Sequence, residues 1–256
     1  YNALTANTTG YQNTAISGST LCKNTTGYCN TAIGRAALFF NTEGANNVGV
    51  GHDSIHDNTT GDNNTGVGFC SLRTNTTGAN NVAIGCGALL ANTTANGNVA
   101  VGTLSLNSTT TGGGNTAIGC LAMEENTEGG DNVAIGKNAL QENTTAGSNT
   151  AVGRCALALN TTGASNIAVG TSALKANTTA CNNTAVGYAA LLANTTGQNN
   201  IAVGSCSLCK NTTGSSNIAI GKVVMCCNTE GDNNTAMGHI ALRNNTTADN
   251  NTAFGY

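Results

Sequence analysis

Apolar and polar positions alternate along this chain in a pattern that returns every 17 residues. The unit is clearest at Asn183–Asn199, which is Asn-Thr-Ala-Val-Gly-x-x-Ala-Leu-x-x-Asn-Thr-Thr-Gly-x-Asn. Its first Asn, position 1 of the repeat, is present in all fifteen units without an insertion or deletion: Asn13, Asn30, Asn47, Asn64, Asn81, Asn98, Asn115, Asn132, Asn149, Asn166, Asn183, Asn200, Asn217, Asn234 and Asn251. Strict repetition of this kind predicts an array in which each unit packs on its neighbours.

Positions 2 to 5 of the unit predict a short strand that ends at a glycine. Position 2 is Thr in eight units and Val or Ile in seven, and position 4 is Ile or Val except at Met237 and Phe254. Short β-branched runs closed by Gly are typical of strands. Since side chains alternate along a strand, positions 2 and 4 share one face and the small position 3 takes the other. We expect the Ile/Val column to face the packed interior and something to pack closely on the second face too.

A second apolar contact follows at positions 8 and 9, where a small residue precedes Leu. Position 9 is Leu in twelve units, among them Leu38, Leu89, Leu140 and Leu191. Positions 6, 7, 10 and 11 tolerate almost any side chain, which indicates solvent. The Leu column is therefore predicted to complete the core.

Positions 12 to 15 are Asn-Thr-Thr-Gly in most units. The Thr at position 13 is invariant and includes Thr8, Thr25, Thr42, Thr59, Thr76 and Thr93. Position 14 accepts Glu43, Glu128 and Glu230, so it is predicted to face water and to turn position 13 inward. Buried Asn and Thr side chains can hydrogen-bond their own kind when identical residues stack.

These patterns predict an all-β fold, a parallel β-solenoid (β-roll or β-helix) with one 17-residue coil per repeat and 15 repeats. Two or three short strands and sharp Gly/Asn corners are expected in each coil. One continuous array is predicted over residues 1–256, as a segment of a longer fibre. A lone coil has too few large apolar side chains to offset its ordering entropy, so stacking is required.

Composition limits the possible functions. Only 8% of residues are charged and the net charge is −3, which disfavours nucleic-acid binding. No apolar run reaches the roughly 18 residues that would span a bilayer, and no signal peptide is evident. No cofactor site and no enzymatic activity are expected. Gly112-Gly113-Gly114 lacks the Lys-Ser/Thr of a phosphate-binding loop.

The eleven cysteines do not occupy a common repeat position. Cys209 and Cys226 alone share a position in successive units. In-register stacking would place their Cα atoms about 4.8 Å apart, so a disulfide between them is possible. Cys206 and Cys209 have CxxC spacing, but no second pair stands at zinc-ligand spacing. The redox compartment stays open.

Histidines lie only at variable positions: His52, His56 and His239. The pairs His52-Asp53 and His56-Asp57 could sketch a metal site, but we favour solvated turns and assign no metal. Asn7-Thr8-Thr9 and ten counterparts are formal N-glycosylation sequons. Because Asn persists at Asn41, Asn126 and Asn228, where the sequon is lost, an Asn ladder is favoured over glycans, and O-linked sugar on exposed Thr stays open.

The Asn-Thr/Val-Ala-Ile/Val-Gly core resembles the Ser-Val-Ala-Ile-Gly signature in the head repeats of trimeric autotransporter adhesins. It is also similar to the Asn-Thr-Ala-rich tracts of long bacterial surface proteins and tail fibres. The resemblance covers the whole chain, although the adhesin-head repeat is shorter than 17 residues. It implies a β-roll whose chains associate as a trimer about one axis.

The function expected from the sequence is structural: a rigid extracellular, cell-surface or virion fibre, filament or adhesin shaft that associates as a trimer or end to end. Two alternatives stay open. An ice-binding solenoid would use the Thr columns at positions 13 and 14, although adjacent Thr side chains point to opposite faces. A carbohydrate-binding adhesin segment would use exposed aromatics such as Phe39 and Phe40.

Overall fold

The computed structural model describes all residues, 1–256, as a parallel β-solenoid with one coil per 17-residue repeat. Contacts divide it into two compact units, Tyr1–Gly130 and Asp131–Tyr256. It contains no helix, and so none that could cross a membrane. The predicted fold class is confirmed.

Each coil contributes one three-residue strand at positions 2 to 4. The first unit holds β1 Thr14–Ile16, β2 Thr31–Ile33, β3 Val48–Val50, β4 Thr65–Val67, β5 Val82–Ile84, β6 Val99–Val101 and β7 Thr116–Ile118. The second unit holds β8 Val133–Ile135, β9 Thr150–Val152, β10 Ile167–Val169, β11 Thr184–Val186, β12 Ile201–Val203, β13 Ile218–Ile220, β14 Thr235–Met237 and β15 Thr252–Phe254. The prediction of two or three strands per coil is wrong, because the other segments are chains of tight turns.

Within each unit, successive strands pair in parallel with equivalent residues opposite each other. For example, Thr31 pairs with Val48 and Ile33 with Val50. The side chains follow the same register: the rings of Tyr11 and Tyr28, both at position 16, stack with centroids 4.9 Å apart and planes 4° from parallel. This separation is close to the spacing of neighbouring strands in a sheet. Like side chains therefore lie directly above like within each unit.

The strand faces the core with position 3, not with positions 2 and 4. Ala32 and Ala83 are fully buried, whereas Ile33 and Ile84 are 38% and 40% exposed. The prediction that the Ile/Val column lines the interior is therefore wrong. The core is narrow: a Cβ atom added to Gly66 would lie 2.7 Å from Cγ1 of Ile55 at position 9. Only Ala or Gly fits opposite the position 9 side chain, which is why position 3 stays small.

The predicted Leu column is confirmed as the main apolar core. Leu38, Leu89, Leu140 and Leu191 are fully buried. All residues at position 9 adopt left-handed φ angles, between +46° and +53°. This conformation costs an L-residue about 1–2 kcal/mol, and neither Leu nor its neighbours signal it in the sequence. The contacts and hydrogen bonds of the stacked coils must offset that cost in every coil.

The predicted glycine corner at position 5 is also confirmed. Gly51 has φ +137°, and a Cβ atom there would lie 2.3 Å from the carbonyl oxygen of Gly68 in the next coil. Position 15 instead requires small size alone, since Ala95 and Ala146 occupy it with 4% exposure. The two small positions of the repeat therefore have different physical causes.

Two asparagine ladders hold the coils in register. At position 12, Asn58 Nδ2 donates to Asn41 Oδ1 at 2.7 Å, and Asn75 Nδ2 donates to Asn58 Oδ1 at 2.8 Å. At position 1, Asn47 Oδ1 accepts the backbone N–H of Asn64 at 2.9 Å. Both ladders also donate to the carbonyl at position 15. These bonds satisfy amides that would otherwise be buried at a cost.

A third set of bonds runs through the threonine at position 13. The carbonyl of Thr59 accepts the backbone N–H groups of Thr42, Glu43 and Gly44 at 3.1–3.2 Å, and the Thr42 hydroxyl donates to it at 3.1 Å. Position 13 is half-buried, and Glu43 at position 14 is exposed. The prediction that position 14 faces water while position 13 turns inward is thus confirmed.

The position 12 ladder has one defect, at Thr109. Asn92 Oδ1 is buried without a hydrogen-bond partner, because Thr109 replaces the Asn that would donate to it. On the other side, Asn126 Nδ2 reaches Thr109 Oγ1 at 3.4 Å. We expect Thr109→Asn to complete the ladder and to raise the free energy of unfolding by about 1–3 kcal/mol, the cost of an unsatisfied buried acceptor.

Thermal and denaturant unfolding measure this effect. Thr111→Asn, at the exposed position 14 of the same coil, is the matched control and should leave the melting temperature unchanged. Equal melting temperatures for Thr109→Asn and the original chain would contradict the role assigned to the ladder.

A second comparison tests the orientation of the strand. Leu89→Ala should destabilise the fold by about 2–5 kcal/mol because it leaves a cavity in the core. Ile84→Ala should cost well under that, because the Ile84 side chain is 40% exposed. Denaturant melts of the two variants check the order, and a larger loss for Ile84→Ala would mean that the strand face is inverted.

Candidate functional site

The variable positions 6, 7, 10 and 11 of three consecutive coils carry an unusual share of the chain's reactive and aromatic side chains. Between residues 35 and 73 lie three of the four Phe, two of the three His and two of the four Arg. We name this group the aromatic–histidine patch; it consists of Arg35, Phe39, Phe40, His52, Asp53, His56, Asp57, Phe69 and Arg73. It lies wholly in the first unit.

One part of the patch is a chain of polar contacts. Arg35 Nη1 lies 3.3 Å from His52 Nε2, and His52 Nδ1 lies 3.2 Å from Asp53 Oδ2. Arg73 Nε lies 4.0 Å from the same Asp53 oxygen. Neither contact with Asp53 has hydrogen-bond geometry, so His52 Nδ1 and Arg73 Nε are buried atoms without a hydrogen-bond partner. Two nitrogens of the patch are therefore left for another acceptor.

Aromatic rings form the other part. The His56 ring stacks on Phe39 with centroids 5.3 Å apart, and Phe40 meets both of these rings edge to face. His56 Nδ1 contacts the Asp57 carboxylate. Phe69 stacks on His52 at 5.6 Å and remains 55% exposed. The patch thus combines apolar ring surface with donors and acceptors on one exposed face.

The sequence analysis named parts of this patch without connecting them. It treated His52-Asp53 and His56-Asp57 as solvated turns and Phe39 and Phe40 as isolated surface residues. The signal it missed was concentration, since the repeat places positions 6, 7, 10 and 11 of successive coils above one another. His239, the third histidine, lies apart from the patch and contacts the ring of Tyr256.

Cysteines form a second cluster. Cys209 Sγ lies 3.6 Å from the carbonyl oxygen of Cys226, and the sulfurs of Cys226 and Cys227 are 3.8 Å apart. All eleven thiols are free in the structure. No group of three or more His, Cys, Asp or Glu side chains has metal-binding geometry. The disulfide between Cys209 and Cys226 stays a prediction.

The sequon asparagines lie in the position 12 ladder. From Asn24 to Asn228 every Asn at this position is fully buried. In Asn58, Nδ2 donates both to Asn41 Oδ1 and to the Gly61 carbonyl. A glycan on such a nitrogen would open the ladder, so the ladder interpretation is supported.

Comparisons with known proteins add no assignment. No protein-family model, curated protein or solved structure matched the chain.

Burial makes Cys209 a poor nucleophile near neutral pH. Desolvation, with smaller contributions from the thiols of Cys226 and Cys206, raises the pKa of Cys209 to about 11. We expect iodoacetamide to label Cys209 more slowly at pH 8 than the exposed Cys86 and Cys120, because the thiolate is the reactive form. The Cys209 rate should keep rising towards pH 11.

Mass spectrometry of the alkylated peptides at several pH values measures these rates. Since the folded pKa lies above the ordinary value of 9.0, the associated stability is complete below pH 9 and is lost as the pH rises towards 11. Labelling of Cys209 at the rate of Cys86 at pH 8 would show that the thiol is not desolvated.

Proposed function

We propose that this chain is a structural segment of an extracellular, cell-surface or virion fibre, filament or adhesin shaft. Three features support the proposal: the register of the coils within each unit, the ladders of buried amides, and the outward strand faces. In this proposal, repetition supplies length and the ladders supply stiffness. The chain acts mechanically, without enzymatic activity or a cofactor.

The observation that carries the proposal is the outward face of the strands. Positions 2 and 4 hold only Thr, Val, Ile, one Met and one Phe, so none of the chain's charged residues lies on this face. Several of its side chains are well exposed, including Ile84 at 40% and Ile167 at 43%. Exposed apolar rows without charge are typical of surfaces that contact another protein chain.

The size of these faces favours a partner with the same long shape. With strands about 4.8 Å apart and about 3.3 Å per residue, the sheet of the first unit presents about 330 Å2 and that of the second about 380 Å2. A standard interface buries about 800 Å2 per partner. Stable association therefore needs the faces of both units, and a copy of this chain offers matching rows at the same spacing.

We propose self-association about a common axis, as in a trimer, with the strand faces towards that axis. End-to-end contact is a second mode of association, since β1 and β15 each have one strand neighbour in this chain and open strand edges are templates for pairing. Both modes lengthen or thicken a fibre.

Val82→Lys with Val99→Lys tests the strand face. Burying two ammonium groups at an interface is costly, so the double variant should dissociate to monomers and keep its β-sheet circular dichroism. Thr77→Lys with Thr94→Lys, at the exposed position 14 of neighbouring coils, is the matched control and should stay associated. Sedimentation velocity and negative-stain electron microscopy give the readouts.

A monodisperse, monomeric original chain would contradict the proposal, as would equal dissociation of the control. Thermal hysteresis in the same samples would indicate the ice-binding alternative. The structure gives position 13 no part in that alternative, since its hydroxyls are used between coils, as Thr42 shows.

A further inference from the structure

We propose that the aromatic–histidine patch is a binding site for a neutral saccharide chain. This inference goes beyond the structural role and does not depend on it. The argument starts from the other coils, where positions 6, 7, 10 and 11 hold mostly small, aliphatic or singly placed polar side chains. Structural stacking alone does not require Phe, His, Arg and Asp to gather in three adjacent coils.

The patch is a single surface. Arg73, at position 10 of one coil, lies 4.0 Å from Asp53, at position 7 of the coil before it. This contact joins the column of positions 6 and 7 to the column of positions 10 and 11. Phe69 ends the first column and Phe39 begins the second, so ring surface lies on both sides of the polar contacts.

The unpartnered nitrogens indicate which atoms a ligand offers. His52 Nδ1 and Arg73 Nε are buried without a hydrogen-bond partner, at a cost of about 1–3 kcal/mol each when a donor is left unsatisfied. A ligand oxygen in reach of Arg73 would remove that cost. The carboxylates of Asp53 and Asp57 have lone pairs that accept hydrogen bonds from ligand hydroxyls.

The balance of charge favours a neutral ligand. Arg35 and Arg73 are offset by Asp53 and Asp57, so the formal charge of the patch is zero with both histidines neutral. A nucleic acid or another polyanion requires a positive surface. A saccharide presents hydroxyl groups for the polar side chains and C–H faces for the exposed rings of Phe40 and Phe69.

The shape of the surface favours a chain over a single sugar. The structure contains no cavity, so a monosaccharide would remain largely in water and bind weakly. A polysaccharide lying along the coils meets the polar contacts and both ring groups at once, and each added contact acts at high effective concentration. The predicted ligand is therefore a neutral polysaccharide.

Affinity electrophoresis of the full 256-residue chain in native gels tests the proposal. The gels contain dextran or hydroxyethyl cellulose as neutral probes, and alginate as an acidic probe. The original chain should be retarded by at least one neutral probe. Phe69→Ala and Arg73→Gln should each raise the apparent dissociation constant about tenfold, which corresponds to about 1.4 kcal/mol.

Tyr188→Ala is the matched control, because Tyr188 occupies position 6 as Phe69 does and is 62% exposed, but lies outside the patch. It should bind as the original chain does. The circular dichroism and melting temperature of every variant check that the fold is kept. Three results would overturn the proposal: no retardation by either neutral probe, retardation by alginate alone, or an equal loss of binding in Tyr188→Ala.

Discussion

The buried asparagine amide is the interaction on which the rest of the structure depends. A coil of 17 residues encloses too little space for a conventional apolar core, and Leu at position 9 fills most of what there is. The amides at positions 1 and 12 occupy the remaining interior, where each needs partners for its donors and its acceptor. Only an identical amide one coil away satisfies them, so the ladder enforces the register that also stacks the leucines.

This dependence explains why the repeat tolerates substitution so unevenly. Positions whose side chains meet their own kind inside each unit vary little, and the single exception at Thr109 leaves the acceptor of Asn92 without a partner. The left-handed backbone at position 9 belongs to the same logic. An isolated Leu avoids that conformation, but here the bonds between coils hold every Leu in it.

Much of the fold was predictable because periodicity is a direct statement about stacking. Period, strand position, the glycine corner and the Asn ladders all followed from identical residues at identical spacing. The inward face of the strand did not. Alternation groups Val82 with Ile84 and separates them from Ala83, but it does not say which face is inside. The apolar pair suggested the interior, whereas the narrow core admits only the Ala. The aromatic–histidine patch escaped prediction because variable positions were judged one at a time, although stacking makes neighbours of residues 17 apart.

The most direct measurement of the ladder is hydrogen exchange of the asparagine side-chain amides, followed by NMR. The account predicts slow exchange for Nδ2 protons at position 12, such as those of Asn58 and Asn75, whose amides are bonded on both sides. Exposed asparagines at position 17, such as Asn46 and Asn63, provide the internal reference and should exchange quickly. Equal exchange rates for the two groups would show that the amides do not form ladders.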